Sequence, residues 1–278
     1  MSYQTLLLCC NGWEARIAPD YGANLLSLRY NSRDILRPWS EEITDPYVIG
    51  APLLFPANRT AGGRFSFRNK AYTLPVNDSF GNSHLHGLLF RQTFRVETAE
   101  PDRICLSYEN RGEIYPFPFR FTVCYNVDGT DFVSEYRIEN PSETAMPFTF
   151  GLHTTFPEPD IFSVPLESCQ EKDSHHIPTG RYIPLNGQEQ QYVTGSASKD
   201  VVISGYYRAG GDTARIGSLR YRVTGFDHWI LYNGRGQGGF LCVEPQLGGV
   251  NALNQPETCP TLEGHSAITL TTRLSVLP

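Results

Sequence analysis

The feature that most constrains the fold is a strict alternation of large apolar residues with smaller or polar ones between positions 117 and 127. The apolar positions are Phe117, Phe119, Phe121, Val123, Tyr125 and Val127. Successive side chains of a β-strand point to opposite faces, so a period of two predicts a long strand with one buried face. Asp128-Gly129 follows as a turn, and apolar alternation resumes at Phe132, which predicts an antiparallel hairpin.

Shorter alternating stretches occur along the rest of the chain. The stretch from Phe65 to Leu74 predicts a second hairpin, and the stretch from Ala267 to Leu274 predicts a closing strand. No segment has the apolar spacing of a three-turn helix, and we find no repeat or linker. We therefore expect a single all-β domain over residues 1–278, built as a large antiparallel β-sandwich.

Composition excludes several classes of function. A net charge of −6 and a pI near 5.7 argue against a nucleic-acid partner. No apolar run approaches the ~20 residues that span a bilayer, and the short N-terminal run lacks a basic leader. We expect a cytoplasmic protein, a monomer or homodimer, with a small-molecule partner and no membrane contact.

The cysteines predict neither a disulfide framework nor a zinc site. Their number is odd and no Cys-x-x-Cys pair occurs. We expect reduced, mostly buried thiols. The positions are Cys9, Cys10, Cys105, Cys124, Cys169, Cys242 and Cys259.

A histidine in an aromatic setting is the first candidate for chemistry. Phe148 and Phe150 alternate as in a strand, which places His153 just past a strand end. Imidazole can both donate and accept a proton near neutral pH, so His153 suits general acid–base catalysis. The alternative is a partly buried structural histidine, which is the commoner role for an isolated one.

Two further residues extend this hypothesis. Glu244 follows four apolar residues and precedes Pro245, which predicts a carboxylate at the end of an apolar strand. Such a carboxylate is either paired with an arginine or raised in pKa as a general base. Asn58-Arg59 leaves another apolar strand through Pro56, and a guanidinium there suits sugar hydroxyls or carboxylates. The alternative for Arg59 is an exposed loop position.

The remaining polar candidates are more ambiguous. His84 and His86 would face the same way in an extended segment, as a metal pair does, but no third ligand has local spacing, so we expect no metal. Asp227, before a predicted strand, suits a loop cap or a hydroxyl acceptor. His175 and His176 lie in a polar stretch and are expected to be exposed and without a role.

Together and in this order, the motifs resemble those of the aldose 1-epimerase family, the galactose mutarotase-like proteins. The resemblance extends from about residue 50 to the C-terminus. The matching segments are Ala57-Asn58-Arg59-Thr60, the loop and hairpin from Gly63 to Leu74, Asn82-Ser-His84-Leu-His86-Gly87, Gly151-Leu-His153-Thr-Thr-Phe156, Asp227, Val243-Glu244-Pro245-Gln246 and Leu262-Glu-Gly264.

The resemblance implies a galactose mutarotase-like supersandwich that needs no cofactor and interconverts the α and β anomers of an aldohexose. It implies that His153 is the general acid and Glu244 the general base. The sugar-binding residues that it implies are Asn58, Arg59, His86 and Asp227.

The sequence departs from the family pattern at positions that bear on which sugar is bound more than on the reaction. Thr154-Thr155 follow the candidate acid, and Leu88 follows Gly87 where family members commonly have a second glycine. One alternative is a hexose-6-phosphate 1-epimerase, which needs basic residues at the pocket edge; Arg64, Arg68 and Arg91 are candidates. Another is a non-catalytic carbohydrate-binding or sensing protein, which would not require a matched acid and base.

Overall fold

The computed structural model describes residues 4–40, 42–236 and 238–277. Both ends of the predicted domain, residues 1–3 and 278, lie outside this range. The strands of the first half are β1 (Leu6–Cys10), β2 (Trp13–Ala18), β3 (Asn24–Tyr30), β4 (Arg33–Asp34), β5 (Leu53–Leu54), β6 (Arg59–Ala61), β7 (Arg64–Phe67), β8 (Lys70–Thr73), β9 (Ser83–Leu85), β10 (Arg95–Ala99), β11 (Arg103–Asn110), β12 (Phe119–Asp128) and β13 (Asp131–Glu139).

The second half is also dominated by strands. They are β14 (Met146–Pro147), β15 (Phe150–Leu152), β16 (Thr155–Pro157), β17 (Phe162–Ser163), β18 (Leu166–Lys172), β19 (Pro178–Ile183), β20 (Ser204–Ala209), β21 (Thr213–Ile216), β22 (Leu219–Thr224), β23 (His228–Tyr232), β24 (Phe240–Leu247), β25 (Thr261–Leu262) and β26 (Ala267–Val276). A short helix, α1 (Gly187–Thr194), and the 3₁₀ turns Pro46–Val48, Leu89–Arg91, Gly234–Gly236 and Ala252–Asn254 complete the elements.

Two antiparallel sheets form the body of the molecule. Sheet I has the strand order β10-β11-β12-β13-β26-β22-β21-β17, and sheet II the order β19-β18-β20-β23-β24-β15-β5, with β16 also paired to β24. Strands β1 to β4 form a smaller sheet, and β6-β9, β7-β8 and β14-β25 are two-stranded ribbons. This architecture confirms the predicted all-β fold class.

The alternating segment from Phe117 to Val127 forms most of β12, an interior strand of sheet I. Its residues Phe119, Phe121, Val123 and Tyr125 are all buried, while the residues between them are more exposed. It pairs with β13 across the predicted turn, in register from Asp128 to Arg120. The predicted hairpin is therefore confirmed, as is the β7-β8 hairpin.

The core lies between the facing surfaces of the two sheets. Phe150 of sheet II packs against Phe121 and Tyr136 of sheet I, with ring centroids 5.2 Å and 5.4 Å apart. Tyr221 of sheet I likewise lies 6.1 Å from Trp229 of sheet II. Because one buried cluster extends from Leu8 to Leu274, we propose that the chain forms one domain.

Strand β24 separates this core from a second buried region. Its residues Leu241 and Val243 belong to the core cluster. Because side chains alternate along a strand, Cys242, Glu244 and Gln246 point to the opposite face of sheet II. All five are buried, so loops must cover this opposite face as well.

The cysteine prediction is wrong in two respects. Cys105 and Cys124 form a disulfide across strands β11 and β12, where they are directly paired in the ladder. Strand register brought them together, and register is not evident from cysteine spacing. Of the free thiols in the described residues, only Cys242 is fully buried.

The one described α-helix is about two turns long. Helix α1 begins at a capping box, in which Asn186 accepts backbone N–H groups and Glu189 reaches back to the Asn186 N–H. None of the described helices is both long and apolar enough to cross a membrane.

Candidate active site

A two-stranded ribbon brings the first group of candidate residues together. Strands β6 and β9 pair Arg59 with Leu85, and the His86 N–H donates to the Asn58 carbonyl over 2.8 Å. Asn58 and His86 both have left-handed backbone, with φ of 55° and 63°. This turns His86 out of the strand, so it and His84 do not form the matched pair expected of an extended segment.

The candidate acid and base meet on sheet II. His153 follows β15 directly, as predicted, whereas Glu244 lies inside β24 rather than at its end. The His153 Nε2 atom lies 3.5 Å from a Glu244 carboxylate oxygen. Both side chains are buried, with 7% and 4% of their surfaces exposed.

A cavity of about 550 Å³ opens above this pair. Five of the residues predicted from the sequence line it: Asn58, Arg59, His86, His153 and Glu244. They come from four separate parts of the chain, so the fold assembles what the sequence only suggested.

Burial dominates the electrostatics of the pair. It raises the pKa of Glu244 well above its usual value, although the positive charge of Arg59 opposes the shift. It lowers the pKa of His153 to about 4. In the protein alone, the pair therefore favours a protonated carboxyl and a neutral imidazole, because neither charge is hydrated. Burial also holds the pKa of His86 well below its usual value, helped by His153 and Arg59.

Sequence reasoning missed the residues that hold Arg59. Its Nε donates to Asp78 Oδ2 over 2.9 Å, and its Nη1 donates to the Tyr206 hydroxyl over 2.9 Å. Asp78 also accepts hydrogen bonds from the Gly81 N–H and the Ser83 hydroxyl. Burial acts to raise the pKa of Asp78, but these donors outweigh it and lower the pKa overall. Asp78 and Tyr206 both line the cavity.

A group of rings forms another part of the cavity wall. Tyr47 lies 4.5 Å from His86 and 6.1 Å from His153, measured between ring centroids, and the two imidazoles are 5.3 Å apart. The Nδ1 atoms of both histidines and Oδ1 of Asn58 are buried and make no hydrogen bond. Unsatisfied buried polar groups are expensive, and their concentration here marks a site not optimised for stability alone.

Asp227 lies elsewhere. It lines a second cavity of about 710 Å³, which shares none of its lining residues with the first. Its carboxylate accepts from His228 over 2.7 Å and from the Gly248 N–H over 2.8 Å, and the other ring nitrogen of His228 lies 2.6 Å from the Tyr182 hydroxyl. Both ring nitrogens of His228 are thus already engaged, and the acid–base pair is in the first cavity. We therefore leave Asp227 out of the proposed sugar-binding residues.

The structure also revises the other histidines. His84 contacts the Pro75 carbonyl over 2.7 Å and does not line the first cavity. His176, predicted to be exposed and without a role, is half-buried and lines it. The described residues that could hold a metal ion are His153, Cys242 and Glu244, whose ligand atoms lie within 4.8 Å of one another. The metal-free site stays a prediction.

Fold and site together define an antiparallel β-sandwich protein with a buried imidazole–carboxylate pair beneath a cavity of mixed polar and apolar lining. The family model for aldose 1-epimerase matches residues 7–247, and the chain belongs to that family of carbohydrate epimerases.

Individual proteins are also similar to this chain. The chain is 25% identical over 186 residues to the uncharacterized Escherichia coli protein YihR, a match covering 64% of this chain and 60% of YihR. Among solved structures, a galactose mutarotase-like protein from Clostridium acetobutylicum has a TM-score of 0.88 at 21% identity, covering 97% of this chain and 94% of its own. Galactose 1-epimerase from Lactobacillus acidophilus has a TM-score of 0.79 at 14% identity, covering 99% and 98%. These structures show the shared fold.

Proposed function

We propose that this protein interconverts the α and β anomers of a free aldohexose by opening and closing the sugar ring. The observation that carries the proposal is the buried His153–Glu244 pair, 3.5 Å apart and lining one cavity with Arg59. The two sugar oxygens that exchange protons, O1 and O5, are bonded to the same carbon. An acid and a base that lie side by side match that requirement.

Each proton and electron pair has a destination in this reaction. The Glu244 carboxylate takes the proton from the anomeric hydroxyl, and the O1–H electrons form the C1=O1 double bond. The C1–O5 bond breaks, and O5 takes its proton from the His153 imidazolium. The C1 end rotates, O5 attacks the other face of the carbonyl, and both protons return.

The electrostatics of the pair fit this cycle. Ring opening leaves Glu244 protonated and His153 neutral, which is the arrangement that burial favours. Ring opening is unfavourable for a sugar in water, so a site that prefers the open-chain protonation state offsets part of that cost. Before ring opening, Glu244 is a carboxylate and His153 an imidazolium. The sugar hydroxyls and Arg59 must stabilise these two charges.

Arg59 is positioned to bind the sugar near the reacting carbon. Its guanidinium is held by Asp78 and Tyr206, so its remaining N–H groups are oriented before the sugar arrives. His86 and Asn58 supply further hydrogen-bonding groups in the same cavity.

The sugar-phosphate alternative has less support. It needs a cluster of basic residues at the pocket edge. Arg64, Arg68 and Arg91 do not line the cavity, whereas Arg235 does. One arginine besides Arg59 is not such a cluster, so we propose a free hexose as the substrate.

Polarimetry tests the proposal. Freshly dissolved α-D-glucose or α-D-galactose should equilibrate faster with the protein, and His153→Asn or Glu244→Gln should lower kcat by about 10²–10⁴-fold. His265→Asn, in an exposed turn, is the control and should keep the full rate. Absence of acceleration with free hexoses and with glucose 6-phosphate would contradict an epimerase. Sugar binding without acceleration would favour the non-catalytic alternative.

A further inference from the structure

The two imidazoles of the first cavity lack the hydrogen bond that commonly orients a catalytic histidine. Such a ring is usually fixed by a bond from its second nitrogen to a carboxylate or a carbonyl group. Within the described chain, the Nδ1 atoms of His86 and His153 are buried and make no hydrogen bond. The 3.5 Å between His153 Nε2 and Glu244 is also longer than a normal hydrogen bond. Hydrogen bonds therefore do not explain the orientation of the His153 ring.

Ring contacts take their place. The Tyr47 ring is stacked on His153, with an interplanar angle of 25° and centroids 6.1 Å apart, and its centroid lies 4.5 Å from that of His86. The two imidazoles meet edge to face, 5.3 Å apart. The buried ring of Phe90 packs against Tyr47 as well, at 5.1 Å. Because aromatic pairs favour stacked and edge-to-face arrangements, three rings in mutual contact restrict one another's rotation.

The 3₁₀ turn that carries Tyr47 is fixed at both ends. Asp45 caps its beginning, where the carboxylate accepts the Tyr47 N–H over 2.9 Å. At its end, Val48 belongs to a buried cluster with Cys242 of β24. The turn is therefore attached to the strand that also carries Glu244.

Backbone hydrogen bonds connect the stretch after this turn to His153. The His153 N–H donates to the Pro52 carbonyl, and the Thr155 N–H donates to the Gly50 carbonyl, each over 3.1 Å. The same short piece of chain thus carries Tyr47 and pairs with the backbone of His153. The two rings are positioned relative to each other by direct backbone contacts as well as by their stacking.

A buried asparagine holds that stretch in place. Asn24 is fully buried, and its amide nitrogen donates to the Ile49 carbonyl over 2.9 Å. Its Oδ1 accepts the Ala51 N–H over 3.0 Å. A buried side chain that is satisfied on both sides rigidifies the backbone it binds, so the support of the Tyr47 turn is rigid.

We propose that Tyr47 is a positioning residue, whose ring holds the His153 and His86 imidazoles in the orientations that the reaction requires. This rests on the proposed function, in which His153 must reach O5 of the sugar while Glu244 takes the proton from O1. A stacked ring fixes the plane of an imidazole without occupying either nitrogen, whereas a hydrogen-bond partner occupies one. Tyr47 acts through the histidines, and its hydroxyl has no part in this role.

Tyr47→Leu and Tyr47→Phe test the ring, measured by polarimetry on the hexose that wild type turns over fastest. We expect Tyr47→Leu, which removes the planar surface, to lower kcat about 10- to 100-fold, the effect of displacing a reacting group by up to ~1 Å. Its KM should stay within about threefold of wild type, because binding of the sugar is not the step affected. Tyr47→Phe keeps the ring and should keep the wild-type kcat.

Tyr30→Leu is the matched control. Tyr30 is also half-buried and packs against an aromatic ring, that of Trp13 at 4.8 Å, but it does not line the first cavity. Its loss should leave kcat unchanged. Tyr47→Met, which also lacks a ring, replaces Tyr47→Leu if that variant does not fold.

A crystal structure of Tyr47→Leu gives a readout that does not depend on turnover. We expect the His153 ring to be rotated or to occupy two orientations, with Nε2 no longer 3.5 Å from Glu244. An unchanged His153 ring, a Tyr47→Phe variant as slow as Tyr47→Leu, or a loss confined to KM would overturn the role of Tyr47. If wild type turns over no sugar, the proposed function fails, and the His153 orientation in Tyr47→Leu still decides whether Tyr47 holds the ring.

Discussion

Replacing Asp78 by asparagine tests whether catalysis depends on the support of Arg59. Asp78 accepts the Arg59 Nε–H over 2.9 Å, and the two side chains are only 11% and 17% exposed, so solvent screens the interaction weakly. A hydrogen bond between charged groups contributes about 1.5–3 kcal/mol, and about 1.4 kcal/mol corresponds to a tenfold change in rate. If Arg59 binds the sugar in the transition state, Asp78→Asn should lower kcat/KM by about 10- to 150-fold.

The assay is polarimetry with kcat and KM measured separately, together with thermal unfolding to show that the variant is folded. Ser83→Ala is the control, because it removes one hydroxyl donor to Asp78 and leaves the charged contact with Arg59 in place. We expect its kcat/KM to stay within about threefold of wild type.

A double-mutant cycle distinguishes positioning from a general structural effect. If Asp78 acts through Arg59, the double variant Arg59→Ala/Asp78→Asn should be no slower than Arg59→Ala alone. Fully additive losses, or a kcat/KM for Asp78→Asn within twofold of wild type, would refute the reasoning.

Three further predictions concern the same site. The His153–Glu244 pair needs one proton between its two groups. It holds a second proton below the His153 pKa of about 4, and it loses its proton above the raised pKa of Glu244. As the pH is lowered, kcat/KM should therefore fall at about pH 4 and not at the usual histidine value near 6.5. A Cβ on Gly81 would lie 2.5 Å from Asp78 Oδ2, so Gly81→Ala should lower kcat/KM about tenfold, whereas Gly187→Ala, with no atom within 4 Å, should not. Added Zn²⁺ should bind His153, Cys242 and Glu244 and inhibit the enzyme, and EDTA should restore the activity. Cys242→Ala removes one of these ligands and should raise the Zn²⁺ concentration that gives half-inhibition.

Local patterns were predictable from the sequence. Alternation along β12 and the turn after it depend on neighbouring residues, and both were confirmed. The position of His153 just past β15 follows from the same reasoning. The apolar run before Glu244 and the proline after it predict a strand end, but β24 continues to Leu247 with Pro245 in the ladder opposite Trp229.

Relationships between distant strands were not predictable. Tyr206 reaches Arg59 across 147 residues of sequence, and nothing local in either segment indicates the contact. The Cys105–Cys124 pairing likewise depends on the register of β11 against β12. Asp78 had a weak signal, since an aspartate three residues before a glycine suits a turn, but the turn alone does not direct the carboxylate to Arg59.

The position of Asp227 shows why proximity along a sheet does not define a site. It precedes His228, which pairs with Gln246, two residues from Glu244 on the same face of β24. Val250 packs against Tyr206 and Ile230, which line the first cavity, whereas its neighbour Gly249 lines the second. Adjacent residues of one loop therefore belong to the surroundings of different cavities. In the same way, the pairing of His228 with Gln246 does not bring Asp227 into the cavity that contains Glu244.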